Sequence, residues 1–316
     1  MDNCGNSIFE RKNSGVEQTL DYITQQMSRK LNPLEESIIS LLHNHCTNRL
    51  NHRFTMNDEN NLLACETDEQ AGIVELTEEY ACTFKVEPVC AKSVSELAGK
   101  FSVASGRLYR GISVRGSQPL ATLLSLSAGI PAKAAEQTEL QQTVTEIASY
   151  NNTYGIPVVG GDVRFDNSKH QNITANLLTI GLIDKEASLT ASCRGEGNPV
   201  YLVGAPDAGK PISSSAFTTR SLYELICDLH DIDAIVAIQS IGNGGIAGAC
   251  ADMVANGTNG IELNTEIFVE EQKLTEFIPD KVMMILKGEY GKKLEKACRK
   301  WNMRSMQVLP SPWRTA

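Results

Sequence analysis

Apolar positions recur at helical spacing before residue 50, then alternate or run together in short stretches after residue 72. Leu34, Ile38, Leu41 or Leu42 and His45 share one helical face. Asn32-Pro33-Leu34-Glu35 is a suitable start for that helix: Asn caps, Pro takes the first helical position and Glu follows. The polar stretch Asn51 to Asn61 reads as a loop. Strands are expected at GIVEL from Gly72 and at YACTFKVE from Tyr80, then a helix over about Ala135–Asn151 following Pro131. Gly155 to Gly161 leads into another strand region, and Leu177–Ile183 reads as a buried strand.

A second unit begins near Ala191. Gly195 to Asn198 is a turn and PVYLVGA a strand, followed by a loop at Ser213-Ser214-Ser215. A helix is expected over Thr219–His230, a strand over Ile235–Ile241, a helix over Gly244–Asn256 and a strand over Gly260–Leu263. A strand at Val282–Leu286, a helix over Lys292–Lys300 and a short strand near Val308 close the chain. No repeat period suggests a solenoid. These patterns divide the chain into a helical amino-terminal extension, residues 1–60, and two mixed units, 61–188 and 189–316.

The 316 residues are 41% hydrophobic and 21% charged, the composition of an ordinary folded globule of about two domains. With 29 Lys and Arg against 38 Asp and Glu, the net charge of -9 lacks the basic footprint of nucleic-acid or anionic-membrane binding. Neither a signal peptide nor a membrane-length apolar run is visible. The nine cysteines form no C-x-x-C pair. Scattered in this way they suit small buried residues in a reducing cytoplasm, where the protein is expected.

Three local patterns carry candidate chemistry. Gly242-Asn-Gly244-Gly-Ile-Ala247 follows an apolar strand, opens a helix and has Glu262 downstream, so it fits a dinucleotide phosphate loop. The pattern is only six residues long, and a tight strand-to-helix turn is the preferred reading. His43, His45 and Cys46 lack the i, i+3 or i, i+4 spacing of a helical metal pair. On composition His45 suits a satisfied core histidine. Gly160-Gly161-Asp162 to Asp166 is more specific: glycines permit close backbone approach and carboxylates suit Mg²⁺ and phosphate. A glycine turn with solvated acids is its alternative.

Four segments, in order, resemble the synthetase subunit of phosphoribosylformylglycinamidine synthase. Gly155-Ile-Pro-Val-Val-Gly-Gly-Asp-Val-Arg-Phe-Asp166 is similar to the family's G-I-P-x-V-G-G-E/N-V-x-F-D. Pro33-Leu-Glu35 to His45-Cys46 resembles its P-x-E-x…E-H-C helix, and Phe84-Lys-Val-Glu87 its F-K-V-E strand. Gln239 to Ile246 and Gly257 to Leu263 resemble Q-D-x-G-A-G-G-L…G-x-x-G-I-E-L. The resemblance covers the chain from about residue 30, at the length of one module where the family enzymes carry two.

The resemblance implies an α+β, two-domain, aminoimidazole ribonucleotide synthetase-like module. Its amino-terminal domain would pair into a barrel across a dimer, with ATP between domains. The implied reaction is ATP-dependent amidation: Mg·ATP phosphorylates an amide oxygen and ammonia from a glutaminase displaces phosphate. On that basis His45 is the candidate catalytic residue. Lys85, Arg110, Gly160, Gly161, Gly244 and Gly245 are candidates for nucleotide or substrate, while Glu87, Asp162 and Asp252 are candidates for Mg²⁺. Implied partners are a second copy, joined through strands near 72–87 and 175–183, and a glutaminase or second synthetase-like module.

The departures are as informative. The family's F-K-V-E-S-H-N-H-P becomes Phe84-Lys-Val-Glu-Pro-Val89-Cys-Ala91-Lys92, and no histidine occurs between His52 and His170. Gly111 and Ser240 stand where the family has metal-binding Asp, and Asn44 replaces the Glu of E-H-C. Asp207 to Phe217 replaces the family's G-R-D-G-I-x-G-A-S loop. The expectation is therefore a divergent, nucleotide-binding relative with impaired or lost amidation. The alternatives are a competent ligase completed by a partner and, more distantly, a dinucleotide-dependent oxidoreductase.

Overall fold

The computed structural model describes residues 62–64, 70–166, 173–206, 215–263, 274 and 278–308, and isolated positions 17, 20, 21, 24, 25, 30, 33, 36 and 40. Pro33, Glu36 and Ser40 are helical, in accord with the helix expected from Asn32. His45 and its neighbours lie outside the described residues, so the catalytic role expected for His45 has no structural counterpart to weigh.

The first unit is one mixed sheet with helices on its inner face. Its strands are β1 (Leu62–Ala64), β2 (Gly72–Glu75), β3 (Tyr80–Ala91), β4 (Gln118–Ala128), β5 (Val158–Phe165) and β6 (Ile173–Asp184), in the order β1-β2-β3-β6-β4-β5. All neighbours are antiparallel except β4 and β5, which run parallel. Helix α2 (Ala134–Tyr154) makes the crossover a parallel pair requires, and Gly155, at φ 89°, ends it in the left-handed region. Pro88 sits within β3 beyond the reach of β2, whose pairing stops at Phe84; a strand tolerates proline on such an open edge.

Helix α1 (Val94–Ser113) is not expected from the periodicity, because Gly99, Gly106, Gly111 and several serines dilute its pattern. It is nevertheless capped: the Ser93 hydroxyl accepts from the Glu96 amide at 3.2 Å, and the Glu96 carboxylate accepts from Lys92 at 2.7 Å. Leu97, Phe101, Ala104 and Leu108 bury one stripe against Val89, Ala91, Leu126 and Leu177 of the sheet.

The second unit is a four-stranded antiparallel sheet, β7 (Val200–Gly204), β8 (Ile235–Ser240), β9 (Lys281–Leu286) and β10 (Arg304–Gln307), in the order β10-β7-β9-β8. Helices α3 (Ala216–His230) and α5 (Gly291–Trp301) bury Leu222, Leu225, Leu229 and Leu294 against Val203, Ile238, Val282 and Met284. Helix α4 (Gly245–Ala255) covers the opposite face, where Ile246, Ala249 and Met253 meet Leu202, Met283 and Ile285.

Two expectations change. Residues 260–263 form no strand; Ile261 and Leu263 instead pack as partly buried side chains against the α4 core. The turn Gly242–Gly245 follows a strand that pairs antiparallel with β9, so it is not the parallel strand–helix–strand unit of a dinucleotide fold. Its glycines make a tight entry to α4, with Gly245 at φ 62°, and the oxidoreductase reading falls with that geometry.

Candidate functional site

Three groups of buried polar side chains meet where the two units join. The first lies on β3. Alternation turns Thr83, Lys85, Glu87, Val89 and Ala91 to the inner face of the sheet, all buried. Lys85 Nζ is 3.2 Å from Glu87 Oε1, and Arg107 Nε of α1 approaches the same oxygen at 3.8 Å. Beyond Glu87 the row turns apolar: Val89 and Ala91, which stand where the resemblance implies histidines, belong to the core.

The second group joins α1 to the second unit. Arg110 Nη1 donates to Asp280 Oδ1 at 2.9 Å, with both side chains buried. Thr219 Oγ1 of α3 donates to the same oxygen at 3.0 Å, and the Tyr150 hydroxyl of α2 is 3.1 Å from Thr219. Burial lowers the Arg110 guanidinium from its ordinary value, and the Asp280 charge opposes that shift. Asp280 itself takes φ 53°, a left-handed conformation that Asp tolerates better than most residues.

The third group crosses the same junction through Gln70. Its amide donates to the Gln239 side chain and, at 3.4 Å, to the Ile238 carbonyl of β8. Gln239 Nε2 in turn donates to Asp252 Oδ2 of α4 at 3.1 Å. The Ala71 amide donates to the Gly111 carbonyl at 3.0 Å, so the segment that carries Gln70 is tied to α1 one residue beyond Arg110.

Lys85, Glu87 and Arg110 thus gather at one seam, and Asp252 reaches it through Gln239. Asp162 does not. The register aligns Glu87, Leu177, Leu124 and Gly161 across the sheet, which puts Asp162 on the opposite face beside Ser125. It is also three strands away, about 14 Å at the usual strand spacing. There it pairs with Arg164 at 2.5 Å. A hydrogen bond from Ser125, then one from Arg164, hold its carboxyl below the ordinary value.

Glu87, Asp162 and Asp252 therefore do not form the metal set expected of them. Among the described residues no three His, Cys, Asp or Glu side chains come together to hold a metal. Mg²⁺ asks for converging oxygen ligands, whereas Glu87 faces a lysine and an arginine and Asp252 an amide. The residues present do not fit that ion.

Of the glycine pair only Gly161 is required by packing; a β-carbon on Gly160 would meet nothing closer than Leu123 Cδ2 at 3.9 Å. A β-carbon on Gly161, at φ 138°, would lie 1.8 Å from the Leu124 carbonyl oxygen, so glycine is what lets β5 pair with β4. Gly244 and Gly245 open α4 at the end of β8.

Sequence reasoning missed Gln70, Arg107, Asp280 and Thr219. Arg107 and Arg110 are spaced i, i+3, which would have marked a cationic face had α1 been recognised. Asp280 sits in a turn with no motif around it.

The AIR synthase related protein family models match this chain: the amino-terminal domain over residues 68–183 and the carboxy-terminal domain over 189–309. Curated relatives include phosphoribosylformylglycinamidine synthase subunit PurL of Thermoanaerobacter pseudethanolicus, 28% identical over 76% of this chain and 37% of the relative. The subunit of Bartonella henselae is 26% identical over 85% of this chain and 41% of the relative. Thermotoga maritima PurL complexed with ATP shares the fold at TM-score 0.69 and 18% identity, covering 92% of this chain and 50% of that one. HypE in a HypE–HypF complex matches at TM-score 0.52 and 16% identity, over 75% of this chain and 85% of that one. The chain thus spans about half or less of the length of the PurL proteins it matches. Its two-domain α+β architecture and both family models agree: the chain belongs to the AIR synthase related family, as a PurL-type module.

Proposed function

We propose that the chain binds an adenine nucleotide along the seam between its two units and that its ATP-dependent amidation is impaired or lost. The observation that carries this reading is the engagement of each candidate carboxylate by the protein's own groups. Glu87 meets Lys85 and Arg107, Asp162 meets Arg164, and Asp252 meets Gln239. Ser240, where the resemblance implies a further carboxylate, is buried beside Gln239. Phosphoryl transfer depends on charge neutralisation and positioning of the phosphates. Arg107, at 21% exposure the most open of the seam's cations, can meet a polyphosphate, but the apolar Val89 and Ala91 offer nothing to polarise an amide. Purified protein given ATP, formylglycinamide ribonucleotide and excess ammonia should release ADP no faster than without the amide, while ATP raises its melting temperature. Substrate-dependent ADP release would overturn this reading.

The outer face of the first sheet supports a reading of how the chain assembles. Cys82, Phe84 and Val86 of β3, Leu178, Ile180 and Leu182 of β6 and Leu123 of β4 turn away from the core, side by side in register and half-buried or exposed. A continuous apolar sheet face calls for a cover. A two-fold pairing with a second copy through β3 and β6 is the arrangement we favour, and light scattering should find a dimer that Val86→Lys with Leu182→Lys converts to monomer. PurL of Thermotoga maritima occurs in a structure named PurLQS, a precedent for assembly with other chains.

A further inference from the structure

Lys85 does more than neutralise Glu87; it occupies space that only a missing side chain provides. A β-carbon built on Gly111 would lie 2.3 Å from Lys85 Cδ and 2.8 Å from Cε. The lysine stem therefore runs across bare backbone of α1 before its ammonium turns to Glu87. The side chain is 1% exposed. With its stem pressed against the helix and its charge paired inside, this lysine is a fixture of the seam rather than a swinging surface arm.

We infer that the gap left by Gly111 seats Lys85 as a resident cation in place of a divalent metal: held there, its ammonium bars Mg²⁺ from Glu87, and nucleotide phosphates bind the seam without metal. The inference rests on the nucleotide reading above and deepens it. A divalent ion at Glu87 would have to expel a buried ammonium, leaving that charge unpaired or pushing it against a second cation, and either is costly away from water. The arginine at 3.8 Å adds to the repulsion an incoming cation would meet. Gly111 sets the arrangement. Any residue with a side chain there displaces the lysine stem, and a carboxylate there would meet Lys85 before it met a metal.

Mn²⁺, whose free form is read directly by electron paramagnetic resonance, tests this without any nucleotide. The wild-type chain, Gly111→Asp and Lys85→Met should each hold Mn²⁺ no better than weak surface acids do. Lys85→Met combined with Gly111→Asp removes the resident charge and sets two carboxylates side by side. It should bind Mn²⁺ at least about tenfold more tightly than either single variant, about 1.4 kcal/mol. Circular dichroism checks that each variant folds. Should the double variant fail to fold, the wild-type chain still decides, because its melting shift with ATP should be the same in EDTA as in excess Mg²⁺. A shift that appears only with Mg²⁺, or wild-type Mn²⁺ binding that Glu87→Gln abolishes, would overturn the inference. Absence of an ATP shift under both conditions would instead remove the nucleotide reading, and with it metal-free phosphate binding, leaving the Mn²⁺ titration to decide whether Lys85 bars the metal.

Discussion

Two arginine–aspartate pairs in this chain have the same chemistry and opposite settings. Arg110 and Asp280 meet across the junction of the two units, with side chains 1% and 5% exposed. Arg164 and Asp162 meet on the outer face of an edge strand, with side chains 79% and 39% exposed. In water the second pair is screened and contributes little. The first has been taken out of water, so each partner depends on the other to offset its own desolvation. The contrast shows which carboxylate organises the molecule: the one in an unremarked turn, rather than the one behind two glycines.

Breaking the buried pair gives the largest expected effect. Asp280→Ala or Arg110→Ala leaves an uncompensated buried charge or strips the junction of its partner, and should cost about 3–5 kcal/mol of stability. Urea unfolding measures it; a loss no greater than that of an exposed pair would erase the distinction between the two sites. Replacing both at once should cost less than the two single losses added, since neither charge is then left alone.

A second test asks whether burial itself separates the two regions. Tyr109, next to Arg110 on α1, is pushed up to about 12 by burial, although hydrogen bonds with Thr122 and Thr179 act the other way. The unfolded chain therefore gives up this proton first. The stabilising contribution is complete below the ordinary value of 10.0 and is lost as pH rises from there towards about 12. Unfolding midpoints taken across that range should fall in the native chain and fall less steeply in Tyr109→Phe. Equal slopes would show that the interior beside Arg110 is wetter than its geometry indicates.

The smallest effect belongs to Asp162. Its lowered value means that its contribution is present above the ordinary aspartate value and fades as pH falls through the lowered one. Because the group is solvated, Asp162→Ala should leave the melting curve of the native chain unchanged at neutral pH. A clear loss would promote this pair to the standing of Arg110 and Asp280.

Much of the architecture was legible in the pattern of residues, and the misses have physical causes. Helix α2, strand β6 and the elements from β7 to α5 announce themselves through runs of one period between turn residues. Helix α1 hides because three glycines and its serines break the apolar stripe, although the Ser93-to-Glu96 cap was there to be read. In the site, Lys85, Glu87 and Arg110 followed from the resemblance, and period-2 alternation explains why the first two share a face. Asp162 was misplaced because a carboxylate after two glycines looks the same whichever face it takes. The irregular register between Thr122 and Leu123, where β4 meets β5, helps to set that face, and no local pattern encodes it. Gln70 and Asp280 became partners of Gln239 and Arg110 only when distant segments came together.

The lysine lying across Gly111 also constrains how this protein could change over generations. A single replacement at 111 must first evict a buried side chain, so it is penalised before it can confer anything. A shortened side chain at 85 opens that space but strands Glu87 with less of its counter-charge. A path towards a carboxylate-lined cation site therefore leads through position 85 before position 111, and each first step is unfavourable alone. Such an ordered pair of steps tends to hold a lineage where it stands, and the two positions are best regarded as one heritable unit.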